Sequence, residues 1–262
     1  MSARDEEVAR RWDAMAAEWA EGLGKGKDIV NESVGIPAFL GMVGDLAGRE
    51  VLDAGCGEGR SSRHLARLGA RVLGVDLSSR MLDLAREEER REPLGIAYRQ
   101  ASVSDLGFLG SGSFDVVVSF MALMDVPDYA AAVGEFARVL RPGGRFAFAV
   151  LHPCFFTRGL AVVRAAEGRK AGLRVAHYFD ERPYTQRWRF PGGEAGEGSP
   201  FAVPRFPRTL AKYISGVTAA GLTIKRLLEP QPSEDVCRRY PFLGFWRRHG
   251  ALYLCVEAEK PS

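Results

Sequence analysis

The sequence predicts an α/β fold in which a mostly parallel β-sheet is covered by helices on both faces. Between residues 50 and 151, short apolar runs alternate with segments whose apolar residues recur every three or four positions. Three glycines, at positions 55, 57 and 59, follow the first of those runs. Parallel strands need a long crossover connection, usually a helix, so strands that alternate with helices indicate βαβ units.

Two helices are predicted before the first strand. Apolar residues at three- and four-residue steps predict a helix over residues 4–20, and a glycine-rich stretch at 22–26 ends it. A second amphipathic helix is predicted over residues 36–47, where Gly48 follows. Together these helices are expected to form an N-terminal helical cap of residues 1–47.

Seven strands are predicted along the chain. The first five strands are placed, in order, at residues 50–54, 71–76, 96–100, 114–119 and 145–151. The helices between them are placed at residues 59–68, 79–91 and 129–140. A further helix at 209–220 precedes the last two strands, at 222–228 and 251–258, which a turn-rich segment at 229–250 joins.

The regular alternation stops after residue 151. Residues 152–208 contain many of the prolines, two glycine-rich breaks and a dense set of aromatic residues. The sequence has no internal repeat, and 262 residues can bury one large core. A single α/β domain over residues 1–262, with an irregular insertion at about 152–208, is therefore predicted.

Composition and cysteine spacing exclude several classes of protein. Apolar residues at 46% and charged residues at 26% are ordinary for a soluble globular protein, and a net charge of +3 does not indicate nucleic acid. The four cysteines never form C-x-x-C, so neither a zinc site nor a disulfide framework is indicated. A charged N-terminus without the apolar stretch of a signal peptide, and the lack of an apolar run long enough to cross a bilayer, favour a cytoplasmic protein.

The stretch VLDAGCGEGR (51–60) places its glycines at the carboxyl end of the first strand and at the start of a helix. Ligands of open parallel sheets bind at that edge, and backbone N–H groups at a helix start attract anionic groups. Asp76 ends the second strand, where its carboxylate can accept the hydroxyl hydrogens of a ribose. A cofactor that contains a nucleoside is therefore indicated. The alternative is a tight turn beside a solvated aspartate.

The spacing of the glycines distinguishes between the known classes of nucleotide-binding motif. It only approaches the G-x-G-x-x-G of dinucleotide folds, and no Lys-Ser/Thr pair of a P-loop follows it. The pattern D-x-G-x-G-x-G resembles the first motif of class I S-adenosylmethionine-dependent methyltransferases. Three further segments also resemble that family: VLGVDLSSRMLDLAR (72–86), SFDVVVSFMALMDVPD (113–128) and EFARVLRPGGRFAFAV (135–150). The resemblance implies a Rossmann-like, doubly wound, mostly parallel sheet of seven strands whose last strand is antiparallel. It also implies S-adenosylmethionine as cofactor, with S-adenosylhomocysteine as product.

The resemblance also implies which residues hold the cofactor. They are Trp19, Asp53, Gly55, Cys56, Gly57, Asp76, Leu77, Met81, Ser102, Val103, Ser119 and Phe120. The glycine loop would bind the methionine end of the cofactor, and Asp76 would bind the ribose. Leu77 and Met81 would pack against the ribose or the adenine. Ser102 occupies a position where the family often has an acid near the adenine amino group. Trp19 either closes the N-terminal helix over the cofactor or only packs that helix.

Two residues are candidates for a catalytic base, which is needed only if the acceptor atom must lose a proton. His152 follows the fifth strand at the ligand edge of the sheet, although a structural histidine is the alternative. Asp125 follows the fourth strand and could be a base or a substrate contact, unless it caps the next helix. Cys154 lies in a Pro-Cys pair like that of cytosine C5-methyltransferases, but it follows the fifth strand instead of the fourth, so no nucleophilic role is expected. No metal is expected.

The aromatic residues of the insertion suggest where an acceptor binds. Phe155, Phe156, Tyr178, Tyr184 and Trp188 are the candidate substrate contacts. If the insertion folds over the cofactor as a lid, these rings would suit a flat, apolar acceptor. The alternative is a small core of the insertion itself. We expect a small aromatic or heteroaromatic metabolite, methylated on O, N or C.

Two other functions remain open from the sequence. Interleaved arginines and aromatic residues in the insertion, Phe190 and Arg189 among them, could bind RNA or DNA. Against this, the fourth strand is followed by Ser-Phe-Met-Ala, which lacks the Asn/Asp-Pro-Pro-aromatic motif of amino-adenine methylation, and acidic residues dilute the charge. The third hypothesis is a non-catalytic module that binds S-adenosylmethionine.

Overall fold

The computed structural model of the protein describes residues 2–188 and 201–262, and a seven-stranded β-sheet lies at its centre. The strands are β1 (Glu50–Ala54), β2 (Arg71–Asp76), β3 (Ala97–Gln100), β4 (Phe114–Phe120), β5 (Leu140–Leu151), β6 (Ala161–Arg164), β7 (Lys170–Arg174), β8 (Tyr184–Trp188), β9 (Phe201–Arg205), β10 (Thr223–Leu228) and β11 (Tyr253–Glu259). The central sheet has the order β10-β11-β5-β4-β1-β2-β3. Only β11 runs antiparallel to its neighbours there, which confirms the predicted sheet.

Helices cover both faces of this sheet. They are α1 (Ala3–Gly24), α2 (Ile36–Val43), α3 (Arg60–Arg67), α4 (Ser79–Arg91), α5 (Tyr129–Val139), α6 (Leu210–Ala219), α7 (Glu234–Arg239) and α8 (Pro241–His249). Short polar side chains fix several starts: Ser78, Asp128 and Thr209 each accept a hydrogen bond from a backbone N–H of the first turn. Among the described residues, no helix combines the length and the apolar character that crossing a membrane requires.

Two separate hydrophobic cores lie on the two faces of the sheet, and consecutive residues of one strand belong to different cores. Leu52 packs with Phe136 of α5 and Val217 of α6, whereas Val51 packs with Phe39 of α2 on the opposite face. Successive side chains of a strand point to opposite faces, so a parallel strand buried on both sides reads as a continuous apolar run. The run Val116–Val118 in β4 shows the same alternation between the two cores.

The N-terminal helices differ from their predicted bounds. α1 continues to Gly24 through Gly22, which is buried, because a helix-interior glycine costs only about 1 kcal/mol and packing can offset it. α2 is shorter than predicted and ends at Val43, where Gly44 adopts a left-handed φ of 72°. A π-helical turn, Asn31–Gly35, precedes it.

Two segments are more regular than predicted. The supposed turn-rich segment 229–250 contains α7 and α8, because Ser233 caps α7 and Pro241 occupies the first turn of α8. The insertion contains two antiparallel strand pairs, β6 with β7 and β8 with β9. The predicted glycine-rich breaks of the insertion, at 192–193 and 196–198, lie outside the described residues.

Candidate active site

The candidate site lies at the carboxyl ends of β1, β2 and β4. The chain runs outward from β1 to β2 and β3, and β4 returns to the opposite side of β1. The order of strands therefore reverses at β1, and the loops that leave β1 and β4 separate to open a crevice. A cleft of about 990 Å³, measured out to its open mouth, occupies this crevice.

The loop after β1 holds its glycines in conformations that other residues rarely adopt. Gly55 and Gly57 have φ values of 80° and 55°. A Cβ at Gly55 would overlap the Cβ of Ala122, whereas a Cβ at Gly57 would meet no protein atom within 4 Å. Gly57 lines the cleft, so the space beside its Cα is open to a ligand.

Asp76 connects the second strand to this loop. Its Oδ2 accepts a hydrogen bond from the Gly57 N–H at 2.8 Å, and its Oδ1 accepts one from the Ser78 N–H at 2.8 Å. Burial raises the pKa of Asp76, and these backbone donors oppose the shift. A carboxylate oxygen has two lone pairs, so each oxygen can accept a further hydrogen bond from a ligand in the cleft.

Asp53 and Ser119 lie beneath the loop and do not line the cleft. Asp53 Oδ2 accepts hydrogen bonds from Ser61 Oγ at 2.7 Å and Ser62 Oγ at 2.6 Å, which fixes the start of α3 to β1. Burial raises the pKa of Asp53 to about 6, and its Oδ1 has no hydrogen-bond partner among the described residues. Ser119 Oγ donates to the Ala54 carbonyl at 2.7 Å.

Most of the residues predicted to bind a cofactor meet in the cleft. They are Trp19, Gly55, Cys56, Gly57, Asp76, Leu77, Met81, Val103 and Phe120. Ser102 does not line it, because its Oγ is turned to the backbone and accepts from the Ser104 N–H at 3.2 Å. Met121, which sequence analysis did not single out, lines the cleft with an unusual φ of 59°.

The cleft is acidic. Asp28, Glu58, Asp76 and Asp125 line it, and Arg60 faces them. Burial raises the pKa of each of these four carboxyl groups, because a low-dielectric surrounding disfavours the charged form. Asp28 and Arg60 were missed by sequence analysis because neither belongs to the D-x-G-x-G-x-G pattern.

Side-chain hydrogen bonds, among them one from Arg60 to Glu32, hold the N-terminal region against the glycine loop. Trp19 Nε1 donates to Glu58 Oε2 at 3.0 Å, and Arg60 Nη1 donates to Asp28 Oδ2 at 3.1 Å. Trp19 therefore both packs α1 and lines the cleft, the two roles that the sequence left open for it. The N-terminal region forms one wall of the cleft.

Asp125 lies in a 3₁₀ turn, Leu123–Asp125, and faces the cleft. It forms a buried ion pair with Arg205 of β9, whose Nε also donates to Gln186 of β8. Burial raises the pKa of Asp125 to about 6, and Arg205 opposes the shift. Asp125 does not cap α5; Asp128 does so by accepting from the Ala131 N–H at 2.9 Å.

His152 lies outside the residues that line the cleft, although the sequence placed it correctly at the end of β5. Its Nδ1 accepts from the Cys154 N–H at 3.2 Å, so Nε2 carries the proton and donates to Glu229 Oε1 at 2.6 Å. The side chain is buried, and burial lowers its pKa while Glu229 opposes the shift. The structure therefore gives the predicted base role of His152 no geometric support.

The predicted acceptor contacts separate into three groups. Phe156, Tyr178 and Tyr184 line a second, open cavity under the insertion, of about 510 Å³ when measured out to its mouth. Phe155 packs on the His152 ring at 5.1 Å between centroids, and Trp188 packs on the Trp19 ring at 5.6 Å. Phe190 and Arg189 lie outside the described residues.

Comparisons with known proteins agree with this geometry. Residues 52–148 match the family profile described as a methyltransferase domain. The ubiquinone biosynthesis O-methyltransferase of Alkalilimnicola ehrlichii is 36% identical over 149 residues, which is 56% of this chain and 60% of that protein. The enzyme of the same name from Nitrosococcus oceani is 34% identical over 190 residues, which is 71% of this chain and 80% of that protein.

A solved structure shows the same relationship. The S-adenosylmethionine-dependent methyltransferase from Mesorhizobium loti superimposes with a TM-score of 0.70 at 28% identity, over 86% of this chain and 96% of that chain. The glycine loop, the acid that ends β2 and the antiparallel last strand all lie within one continuous fold. The chain therefore belongs to the class I S-adenosylmethionine-dependent methyltransferase family.

Proposed function

We propose that the protein transfers a methyl group from S-adenosylmethionine to a hydroxyl group of a small aromatic molecule. The observation that carries the proposal is the acidic cleft, which opens beside Gly57 and contains Asp28, Glu58, Asp76 and Asp125. These four carboxyl groups outnumber the two neighbouring guanidinium groups, that of Arg60 in the cleft and that of Arg205 paired with Asp125, so the cleft favours a ligand with positive charge and disfavours a polyphosphate. S-adenosylmethionine, when bound, supplies an electrophilic methyl group on a positively charged sulfur.

The residues of the cleft fit this cofactor. The open space at Gly57 admits close approach to the backbone, and Asp76 keeps lone pairs for the hydroxyl groups of a ribose. Leu77, Met81 and Val103 supply an apolar surface for a purine ring. The glycine loop would hold the methionine end, as the sequence predicts. Asp53 and Ser119 would support that loop from below.

The chain's own residues orient the acceptor, exclude water and take up a proton. Trp12 and Trp19 of α1 cover the cleft with apolar rings. Asp125 is the remaining candidate base, because it is the predicted base that faces the cleft. The Arg205 guanidinium favours its ionised form, in which it can accept the proton that a hydroxyl acceptor loses.

Oxygen as the accepting atom is favoured by the named activity of the relatives, which are O-methyltransferases. The nucleic-acid alternative is weakened because three of the insertion's arginines are paired with carboxylates. Arg158 and Arg182 both pair with Asp180, and Arg205 pairs with Asp125. A phosphate backbone needs many uncompensated charges along one exposed surface, whereas a paired guanidinium can still offer a free donor edge to a single carboxylate.

The proposal is tested by incubating the purified protein and S-adenosylmethionine with a panel of phenols, catechols, aromatic amines and indoles. Mass spectrometry should detect a product heavier by one methylene from a hydroxyl acceptor, and S-adenosylhomocysteine in equal amount. If RNA is methylated, the methylation is abolished by salt, and none of the small molecules is methylated, the nucleic-acid alternative would be supported. Tight S-adenosylmethionine binding without any methylated product would support the non-catalytic alternative.

A further inference from the structure

The second cavity lies between the insertion and the turn that follows β4. Its lining includes Phe156, Arg158, Tyr184, Arg205 and Arg208. The turn Leu123–Asp125 separates it from the cleft, because Met124 lines the second cavity whereas Asp125 lines the cleft. A molecule in the second cavity is thus one turn of backbone away from the proposed cofactor site.

The two cavities have opposite charge. Arg158, Arg205 and Arg208 line the second cavity, and Asp180 is the carboxylate among its lining residues. Arg208 donates to four backbone carbonyls, those of Leu123, Phe206, Val126 and Pro127, so its charge is not neutralised there by a carboxylate. Positive charge in a recess with aromatic walls favours an anionic ligand that carries a ring.

Arg205 is the residue that connects the two cavities. Its side chain is only 9% exposed, yet it lines the second cavity and forms the ion pair with Asp125 of the cleft. Nη1 donates to Asp125 and Nε donates to Gln186, while Nη2 makes no hydrogen bond to a described residue. A guanidinium has donors on more than one edge, so Arg205 can hold Asp125 and a second carboxylate together.

We propose that the second cavity binds the carboxylate of an aromatic acceptor, with Arg205 and Arg158 as its recognition residues. This inference rests on the proposed function, whose acceptor it specifies as a hydroxylated aromatic acid. The acid group accepts from Arg205 Nη2, and the ring lies against Phe156 and Tyr184. The guanidinium that holds the proposed base Asp125 thereby also holds the acid group of the acceptor.

Arg158 has a supporting position. Its guanidinium lies 5.0 Å from the centre of the Tyr184 ring and pairs with Asp180 at 3.4 Å. Its side chain is partly exposed, so an incoming carboxylate can reach it without displacing the buried Arg205. Arg182 pairs with the same Asp180 but is 79% exposed and does not line the second cavity, which makes it the matched control.

The test measures binding of two ligands that differ by one carboxylate. Calorimetry would compare 3,4-dihydroxybenzoate with catechol, each added to protein saturated with S-adenosylhomocysteine. We expect the acid to bind at least about tenfold more tightly, equivalent to about 1.4 kcal/mol, because its carboxylate forms charge-assisted hydrogen bonds. Arg205→Gln should abolish that preference and Arg158→Gln should reduce it severalfold, whereas Arg182→Gln should keep it.

Two results would overturn the inference: equal binding of the two ligands to the unaltered protein, or a preference for the acid that survives in Arg205→Gln. If Arg205→Gln does not fold, Arg158→Gln serves as the test, because Arg158 is partly exposed. A preference for the acid that is unchanged in Arg158→Gln would then overturn the inference. Failure of the proposed function is distinguishable, because the protein would then not bind S-adenosylhomocysteine or would methylate neither ligand. Methylation of catechol without any preference for the acid contradicts only the further inference.

Discussion

A side chain at Gly55 and a side chain at Gly57 would meet different surroundings. Both residues have left-handed φ values, so either substitution strains the backbone by about 1–2 kcal/mol. At Gly55 a Cβ also overlaps Ala122, whereas at Gly57 it enters space that is open to the cleft. The glycine at 55 is therefore required by packing within the protein, whereas the space at Gly57 is open to the proposed cofactor.

Gly57→Ala is expected to keep its fold and to bind S-adenosylmethionine at least about tenfold more weakly, an effect of about 1.4 kcal/mol. Gly112→Ala is the matched control, since Gly112 has a φ of 65° and equally open surroundings but does not line the cleft. Calorimetry should show a loss of affinity only in the first variant, with similar melting temperatures in both. Equal affinities would place the ligand elsewhere.

Asp76→Ala is expected to weaken S-adenosylmethionine binding by more than about tenfold, because each lost charge-assisted hydrogen bond to a ribose contributes about 1.5–3 kcal/mol. The Gly57 and Ser78 N–H groups also lose their acceptor, which loosens the loop. Asp83→Ala, on the exposed side of α4, should leave the affinity unchanged. A folded Asp76→Ala protein with unaltered affinity would remove Asp76 from the site.

At the scale of elements, α1 packs against the β8–β9 pair beside the cleft. Trp19 of α1 packs edge-on against Trp188 of β8 and Phe201 of β9, with centroids 5.6 Å and 5.7 Å apart. The same Trp19 donates to Glu58 of the glycine loop. The insertion is thereby joined to the cofactor side of the molecule, so its aromatic residues are divided between this contact and the second cavity.

Trp188→Ala tests that connection. The sequence alone predicts an effect on the acceptor only, whereas the packing of Trp188 on Trp19 predicts that stability and S-adenosylmethionine affinity both fall. Removing a large aromatic ring costs about 3–5 kcal/mol when it is fully buried, and less for this half-buried ring. Phe179→Ala, in the same insertion but 83% exposed, should change neither quantity. A melting temperature and cofactor affinity equal to those of the unaltered protein would support the acceptor role instead.

The sequence predicts the sheet well because its strands are buried on both faces and read as continuous apolar runs, as in Val116–Val118. It misses α7 and α8 because the serine and proline that begin them are also turn residues. The motif residues Gly57 and Asp76 are predictable, since both lie where a strand ends.

The partners that complete the site are not predictable from one sequence. Arg205 lies 80 positions from Asp125, and Glu229 lies 77 positions from His152. No local pattern records such a pairing, because tertiary packing alone brings these side chains together. The same limit explains why His152 was a reasonable candidate from its strand position and why Asp28 was not considered.

At the scale of the whole molecule, charge is separated between two neighbouring cavities. The chain has a net charge of +3, yet the cleft is acidic and the second cavity is basic. The ion pair between Asp125 and Arg205 joins the two. Fields of opposite sign on either side of one turn would draw a cationic cofactor and an anionic acceptor to adjacent positions.

This separation predicts that S-adenosylmethionine affinity depends on pH. Burial raises the pKa of Asp125 to about 6, opposed by Arg205 and Arg208, and it also raises those of Asp28 and Glu58. A bound sulfonium stabilises the ionised carboxylates and so lowers their pKa values, which means that binding releases protons. As pH falls through about 6, Asp125 is protonated before the ligand arrives, and its attraction for the sulfonium is lost.

Affinity should therefore decrease between about pH 7 and pH 5, a window below the pKa of the cofactor's amino group. Calorimetry near pH 6 in two buffers of different ionisation enthalpy should show proton release on binding. Asp125→Asn removes the carboxyl group whose pKa is about 6 from the wall of the cleft, so it should reduce that release and flatten the pH dependence. Asp83→Asn, on the exposed side of α4, should alter neither. Affinity that stays constant over the window, with no proton exchanged, would show that the acidic cleft is not what attracts the cofactor.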